Sequence, residues 1–357
     1  MKKKYKLSKQ EGGTNKFKID CPDYPYINTI INPKNKRGED RRIIAIGDIH
    51  GDYNLTINLL LLAKVIEISN SQDSIKNKIS WIGADTIVVQ IGDQIDSCRP
   101  YNNLKCNMKE TTKNDKPDDI KILKLFTELD KQARKQDGMV ISLLGNHEVM
   151  NALGQLQYTS YENIKDAGSY EERFKLFSSG GEIGKFLGCT RQAAVIIGDN
   201  LFVHAGIVNG LIKELELNSV TDLEDINFKV RKWLLGKLDK KEISKIIDSS
   251  NYGMLWTRIL GNILPDTKME EPICVNNIHK VLELFNIKNM IIGHTPQSFL
   301  YTEGINSTCS NRIWRIDNGS ADAFNKFDQF YNDNGNKVES RNPQVLEIIG
   351  DVFKIIK

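Results

Sequence analysis

Apolar residues in this chain come in short unbroken runs, and the earliest three end alike. Residues 43–46 (IIAI), 86–91 (TIVVQI) and 139–144 (MVISLL) are mostly β-branched or aliphatic, which predicts buried strands. Each stops at a glycine followed by side chains that can ligate a metal: Gly47 before Asp48 and His50, Gly92 before Asp93 and Asp96, Gly145 before Asn146 and His147. Glycine lets the backbone turn sharply and lets the next side chain face inward. Two later runs also end in histidine motifs, 200–203 before His204-Ala205-Gly206 and 290–292 before Gly293-His294. Ligand sites in open α/β sheets form at the carboxyl ends of strands, so these ends predict one shared crevice.

Between the strands the period changes. Residues 52–67 carry Leu55, Leu59, Leu62, Val65 and Ile66 at helical spacing, giving a βαβ start, and 118–136 is an amphipathic helix. The region 151–188 reads as mostly helical with a break at Gly180-Gly181, and a charged helical subdomain is expected near 220–250. Residues 191–197 and 201–203 flank Gly198-Asp199-Asn200 as a hairpin. The last third returns to strands at 290–292, 312–316, 345–349 and 352–356, the final pair joined through Gly350-Asp351. The fold class is α/β. Residues 1–40, broken by Pro22, Pro25 and Pro33, read as a tail and strap, and 41–357 as a single domain with polar insertions near 69–85 and 97–118. The second insertion follows a ligand motif directly and is a natural seat for substrate choice.

Composition adds a few constraints. With 357 residues and 40% hydrophobic content, the chain can bury a full core. The first 20 residues hold seven lysines against Glu11 and Asp20, a net of +5, so the remainder carries about −2 of the total +3. The basicity therefore belongs to the tail and calls for no nucleic-acid partner. No apolar stretch is long enough to span a bilayer, and no apolar region follows the basic start as a secretory signal would require, so a cytoplasmic setting is expected. Six cysteines, Cys21, Cys98, Cys106, Cys189, Cys274 and Cys309, lack zinc-finger or CxxC spacing and read as reduced and structural, with Cys98 alone close to the chemistry.

A single Gly-Asp after a strand is an ordinary turn or helix cap. Five such ends carrying two Asp, one Asn and three His point instead to a metal centre. Carboxylate, imidazole and amide oxygen suit borderline or hard divalent ions: Mn foremost, with Fe and Zn as alternatives.

In GDIHGD (47–52), GDQID (92–96), GNHE (145–148), VHAG (203–206) and GHT (293–295), in that order, the chain resembles the calcineurin-like metallophosphoesterases. SSGGEIGKFL (178–187), GDNLFVHAGI (198–207), LWTR (255–258) and WRIDNGSADAF (314–324) resemble more closely the phosphoprotein phosphatase branch and its Shewanella-like, bacterial-type members. The resemblance implies a sandwich of two mixed β-sheets flanked by helices and two divalent metal ions per chain. Asp48 and His50 would hold one ion, Asn146, His204 and His294 the other, and Asp93 would bridge them. His147 would protonate the leaving oxygen, oriented by Asp96.

Two departures from the family pattern stand out. The arginine expected directly after Asp96 is replaced by Ser97-Cys98-Arg99, so the phosphate grip falls to Arg99, Arg258 or both. GHTPQ lacks the second histidine of GHxH, which matches the phosphoprotein phosphatase branch. The expected function is hydrolysis of phosphate monoesters, with phosphoproteins as substrates, by water activated between two metals. The alternatives are a symmetrical dinucleoside tetraphosphatase and a catalytically weakened scaffold of the same fold.

Overall fold

A computed structural model describes residues 16–69, 78–300, 304–335 and 341–357. In chain order its strands are β1 (Ile30–Ile31), β2 (Ile43–Ile46), β3 (Ile66–Ser69), β4 (Lys78–Trp81), β5 (Ile87–Gln90), β6 (Met139–Leu143), β7 (Arg191–Gln192), β8 (Ala194–Ile197), β9 (Asn200–Val203), β10 (Asn289–Ile292), β11 (Asn306–Thr308), β12 (Ile313–Arg315), β13 (Val345–Ile349) and β14 (Val352–Ile356). They form two six-stranded sheets, ordered β14-β13-β2-β5-β6-β7 and β1-β8-β9-β10-β12-β11, and a separate β3-β4 hairpin. Both large sheets are mixed. In the first, β2, β5, β6 and β7 are parallel and β13 runs against them. In the second, β9, β10 and β12 are parallel, with β8 and β11 antiparallel beside them.

The apolar runs are unbroken because both faces of each sheet are covered. Along β2, Ile43 and Ala45 enter the seam between the sheets with Val89, Ile141, Phe202 and Ile291. Ile44 and Ile46 face outward into a second core under helices Tyr53–Leu62 and Asp119–Ala133. On the other flank Ile196, Val203, Met290 and Ile292 pack with residues of helices Glu182–Thr190, Thr221–Leu234 and Pro272–Phe285.

Several local expectations are corrected. The first helix stops at Leu62, because Lys64 adopts a left-handed φ of 54° and the chain restarts as β3, pairing with β4. The run 191–197 is two strands: β7 pairs with β6 and β8 pairs with β9, so the chain changes sheet at Ala193. The Asn227 side chain accepts the backbone N–H of Ala193 at 2.7 Å and of Ala194 at 3.2 Å, satisfying the groups the crossing leaves unpaired. Residues 30–31 of the expected strap pair with β8 as an edge strand. The lysine-rich start up to residue 15 and residues 70–77 of the first insertion lie outside the described residues.

The reading of six reduced cysteines is overturned. Cys21 pairs with Cys189, Cys98 with Cys106 and Cys274 with Cys309, and none is left free. The partners of two pairs are 168 and 35 residues apart, so no local spacing announces them. Such bonds persist in oxidising surroundings. No helix among the described residues is long and apolar enough to cross a membrane.

Candidate functional site

Strands β2, β5 and β6 are parallel neighbours in one sheet, as are β9 and β10 in the other. Their carboxyl ends open together, and the expected ligands meet around Asp93. Asp93 Oδ2 lies 3.3 Å from His204 Nε2, 3.8 Å from His147 Nε2 and 3.9 Å from His50 Nε2. Asp48 Oδ2 is 3.9 Å from His50 Nε2 and accepts the backbone N–H of His294 at 3.0 Å. Asn146 Oδ1 is 3.0 Å from His204 Nε2. None of these residues is more than 6% exposed.

Backbone strain accompanies this convergence. His50, Asp93, Asp96 and His294 have φ of 47°, 51°, 73° and 66°. The left-handed region costs a non-glycine residue roughly 1 kcal/mol or more, and such residues concentrate at functional sites. The motif glycines serve close approach more than turning. A Cβ on Gly47 would strike the Ile316 carbonyl, one on Gly145 the Asp93 carboxylate and one on Gly293 the Asp48 carboxylate, and of the four glycines Gly92 alone turns left-handed, with φ 100°.

The donor set fits divalent cations. His204 Nδ1 donates to the Ile91 carbonyl at 2.9 Å, so Nε2 turns a lone pair toward the acceptor oxygens of Asn146 and Asp93, an arrangement that only a proton or a cation satisfies. His294 Nε2 donates to the Trp256 carbonyl at 3.0 Å, and its Nδ1 is buried with no partner. Burial and the Arg258 charge hold His294 well below the usual histidine range, leaving that lone pair free to ligate. The carboxylates agree. Burial, Asp317 and Asp93 push Asp48 well up, and burial pushes Asp317 to about 6, whereas in Asp93 the neighbouring His204, His147 and His50 outweigh burial and hold it well down. Three buried carboxylates this close call for positive charge between them. Two compact groups of buried ligand atoms, His50-Asp93-His147 and Asp93-His204-His294, share Asp93; the first contains His147, expected as the acid, in place of Asp48.

The proposed acid stands at the edge. His147 Nδ1 is 2.8 Å from Asp96 Oδ2, and its backbone N–H donates to Asp93 Oδ1 at 3.0 Å. His147 also lines a cleft of about 770 Å³ together with Arg99, Tyr158, Trp256, Arg258, Phe299, Phe324 and Phe327. Arg99 does reach in: Nη1 donates to the carbonyls of Asp96 and Cys98 at 3.0 and 2.8 Å, and Nη2 lies 2.8 and 2.9 Å from the ring nitrogens of His50. Arg258 lines the same cleft, and its Nη1 donates to the His294 carbonyl at 2.7 Å.

Sequence reasoning passed over several residues here. Asp317, inside the quoted WRIDNGSADAF, lies just past β12, but Arg312 and Arg315 interrupt the apolar pattern before it and no glycine precedes it, so the strand-end rule does not reach it. Glu148 accepts the backbone N–H groups of Asp93, Gln94 and Gly145 at 3.0, 2.7 and 2.7 Å, tying two motif turns together. Asn151 lies four residues beyond His147 on helix Asn146–Ala152, the helical spacing for one shared face. Thr159, Asp119 and Arg173 carry no local signal.

The profile of the calcineurin-like phosphoesterases matches residues 41–298. An uncharacterized protein of Acanthamoeba polyphaga mimivirus is 38% identical over 254 residues, 65% of this chain and 97% of that protein. Shewanella-like protein phosphatase 2 of Arabidopsis thaliana is 24% identical over 366 residues, 90% of this chain and 82% of that protein. A cold-active protein-tyrosine phosphatase of a psychrophilic Shewanella shares the fold, with a TM-score of 0.62 at 20% identity over 93% of this chain and 83% of that one.

Proposed function

This chain belongs to the calcineurin-like phosphoesterase family and is a metal-dependent phosphoesterase, and from that premise we propose that it dephosphorylates phosphoproteins. The relatives named protein phosphatases support the substrate class. The observation that carries the reading is the burial of Asp48, His50, Asp93, Asn146, His204 and His294 around one point, with the His147–Asp96 pair at its rim.

Asp48 and His50 would hold one ion and Asn146, His204 and His294 the other, with Asp93 between them. Two divalent ions, when bound, supply positive charge to the phosphoryl oxygens and acidify the attacking water. The chain's own groups do the rest. Arg99 and Arg258, which both line the cleft, grip phosphate oxygens, a task suited to guanidinium forks. Asp96 accepts the Nδ1–H of His147, which fixes the ring and leaves an Nε2–H to hand its proton to the departing oxygen. Phe299, Phe324 and Phe327, with centroids 5.8 to 6.2 Å apart, shape an apolar wall for the organic part of the ester.

The test is hydrolysis of p-nitrophenyl phosphate by metal-stripped protein with Mn, Fe, Zn, Mg or nothing added back, beside Asp93→Asn. The expected result is metal-dependent turnover lost in the variant together with its metal. If no metal restores activity, and phosphopeptides and diadenosine tetraphosphate also stay intact, the enzymatic reading falls to the scaffold. Faster cleavage of diadenosine tetraphosphate than of any phosphopeptide would reassign the substrate.

A further inference from the structure

Behind His147 lies a set of buried polar groups that neither metal nor phosphate binding requires. Arg173, on helix Tyr170–Phe177, and Asp119, the first residue of helix Asp119–Ala133, form an ion pair at 2.8 Å with side chains 1% and 0% exposed. Arg173 Nε and Nη2 also donate to Asn151 Oδ1 at 3.0 and 2.9 Å. Asn151 Nδ2 donates to both carboxylate oxygens of Asp96 at 3.1 and 3.0 Å and to the His147 carbonyl at 3.0 Å. Asp119 Oδ1 accepts the backbone N–H of Asp96 itself at 3.1 Å. The contacts close a ring: Asp96 amide, Asp119, Arg173, Asn151, Asp96 carboxylate. Thr159 Oγ1, 2.8 Å from Asp96 Oδ1, adds a further contact to that carboxylate.

We infer that Arg173, acting with Asp119 through Asn151, positions Asp96 and thereby aims His147 at the leaving oxygen. The inference rests on the reading of His147 as the acid. Its logic is the donor inventory. A guanidinium only donates, so it fixes Asn151 with its oxygen toward Arg173 and its NH2 toward Asp96. Asp96 then faces only donors and stays the acceptor that the Nδ1–H of His147 needs. The other arm of the ring holds the Asp96 amide in its left-handed conformation, φ 73°. A buried ion pair gains little stability over apolar side chains of similar volume. What this one supplies is direction.

The test separates positioning from structure by the leaving group. An acid matters for a poor leaving group such as phenol and hardly at all for 2,4-dinitrophenol, which departs as the anion. Three variants are compared with wild type on phenyl phosphate and 2,4-dinitrophenyl phosphate: the neutral double variant Arg173→Met/Asp119→Asn, Arg173→Lys, and His147→Asn as the reference. Melting temperature and bound metal are measured on each. For the double variant the expected result is kcat on phenyl phosphate down by about tenfold or more, a share of the 10²–10⁴ that acid catalysis contributes. Turnover of the dinitro ester, bound metal and KM should stay near wild type. Arg173→Lys keeps the charge opposite Asp119 but loses the fork, so it should show the same selective loss to a smaller extent, and it decides alone if the double variant does not fold. Equal losses on both esters, or none on phenyl phosphate, overturn the positioning role. A His147→Asn loss that is equal on both esters overturns the acid reading and this inference with it. A selective loss in His147→Asn alone overturns only the ring.

Discussion

Gly145 stands so close to Asp93 that a Cβ on the glycine would overlap Oδ1, the oxygen that accepts the His147 backbone N–H at 3.0 Å. One hydrogen atom in place of a methyl group thus sets where the Asp93 carboxylate and His147 sit relative to each other. Gly145→Ala must move Asp93 or the start of helix Asn146–Ala152. Displacing a ligand's support typically costs about 10–100-fold in metal affinity or activity. Metal titration and kcat/KM on the same preparation should both fall by that order.

Arg99 occupies the cleft from two residues beyond the usual position. If Arg99 grips phosphate as proposed, Arg99→Ala removes a charge-assisted contact worth about 1.5–3 kcal/mol, so kcat/KM should fall by about 10–100-fold with metal content unchanged. Arg99→Lys should recover only part of this, because an ammonium lacks the planar fork. Steady-state kinetics beside metal analysis checks both. The guanidinium lies against the His50 ring, with Nη2 2.8 and 2.9 Å from its nitrogens.

Metal removal should lower stability as well as activity. Asp48, Asp93 and Asp317 are buried together, and ions that bind only the folded chain stabilise it by about 2.7 kcal/mol at a hundred times their Kd. Chelation should therefore lower Tm, and adding back Mn should restore it in wild type but not in Asp93→Asn. Thermal unfolding followed with and without chelator gives the answer.

The disulfides should separate into two roles. Cys21–Cys189 closes 168 residues and Cys98–Cys106 only 8, so loop-closure entropy assigns about 5 kcal/mol to the first and about 2.5 kcal/mol to the second. Replacing Cys21 and Cys189 by alanine should lower Tm the more. Cys98 precedes Arg99, whose Nη1 is held by the Cys98 carbonyl, so replacing Cys98 and Cys106 by serine should chiefly raise KM. Thiol counting should find none free before reduction and six after.

Much of the site was legible because its signals are local. An unbroken apolar run predicts a strand covered on both faces, and a glycine followed by Asp, Asn or His marks where it ends. Those rules mark Asp48, His50, Asp93, Asn146 and His294 on strand ends, whereas His204 directly follows Val203 with no glycine before it. Asp317 also lies just past a strand, β12, but no glycine precedes it and Arg312 and Arg315 interrupt the apolar pattern, so the rule does not reach it. The break at Ala193 was not legible, since the residue that makes the crossing tolerable, Asn227, comes from a helix more than 30 residues away.

The sequence by itself determined the α/β class, the strands that end at the site and the ligand types, because backbone geometry and burial pattern are properties of neighbouring residues. Only the tertiary structure decided which cysteines pair, that Arg99 reaches the cleft, and that Arg173, Asp119 and Asn151 close a ring behind Asp96. The Arg173 contacts with Asn151 and Asp119 join residues 22 and 54 positions apart. Side chains that far apart meet according to how helices pack on sheets, and no local period encodes that.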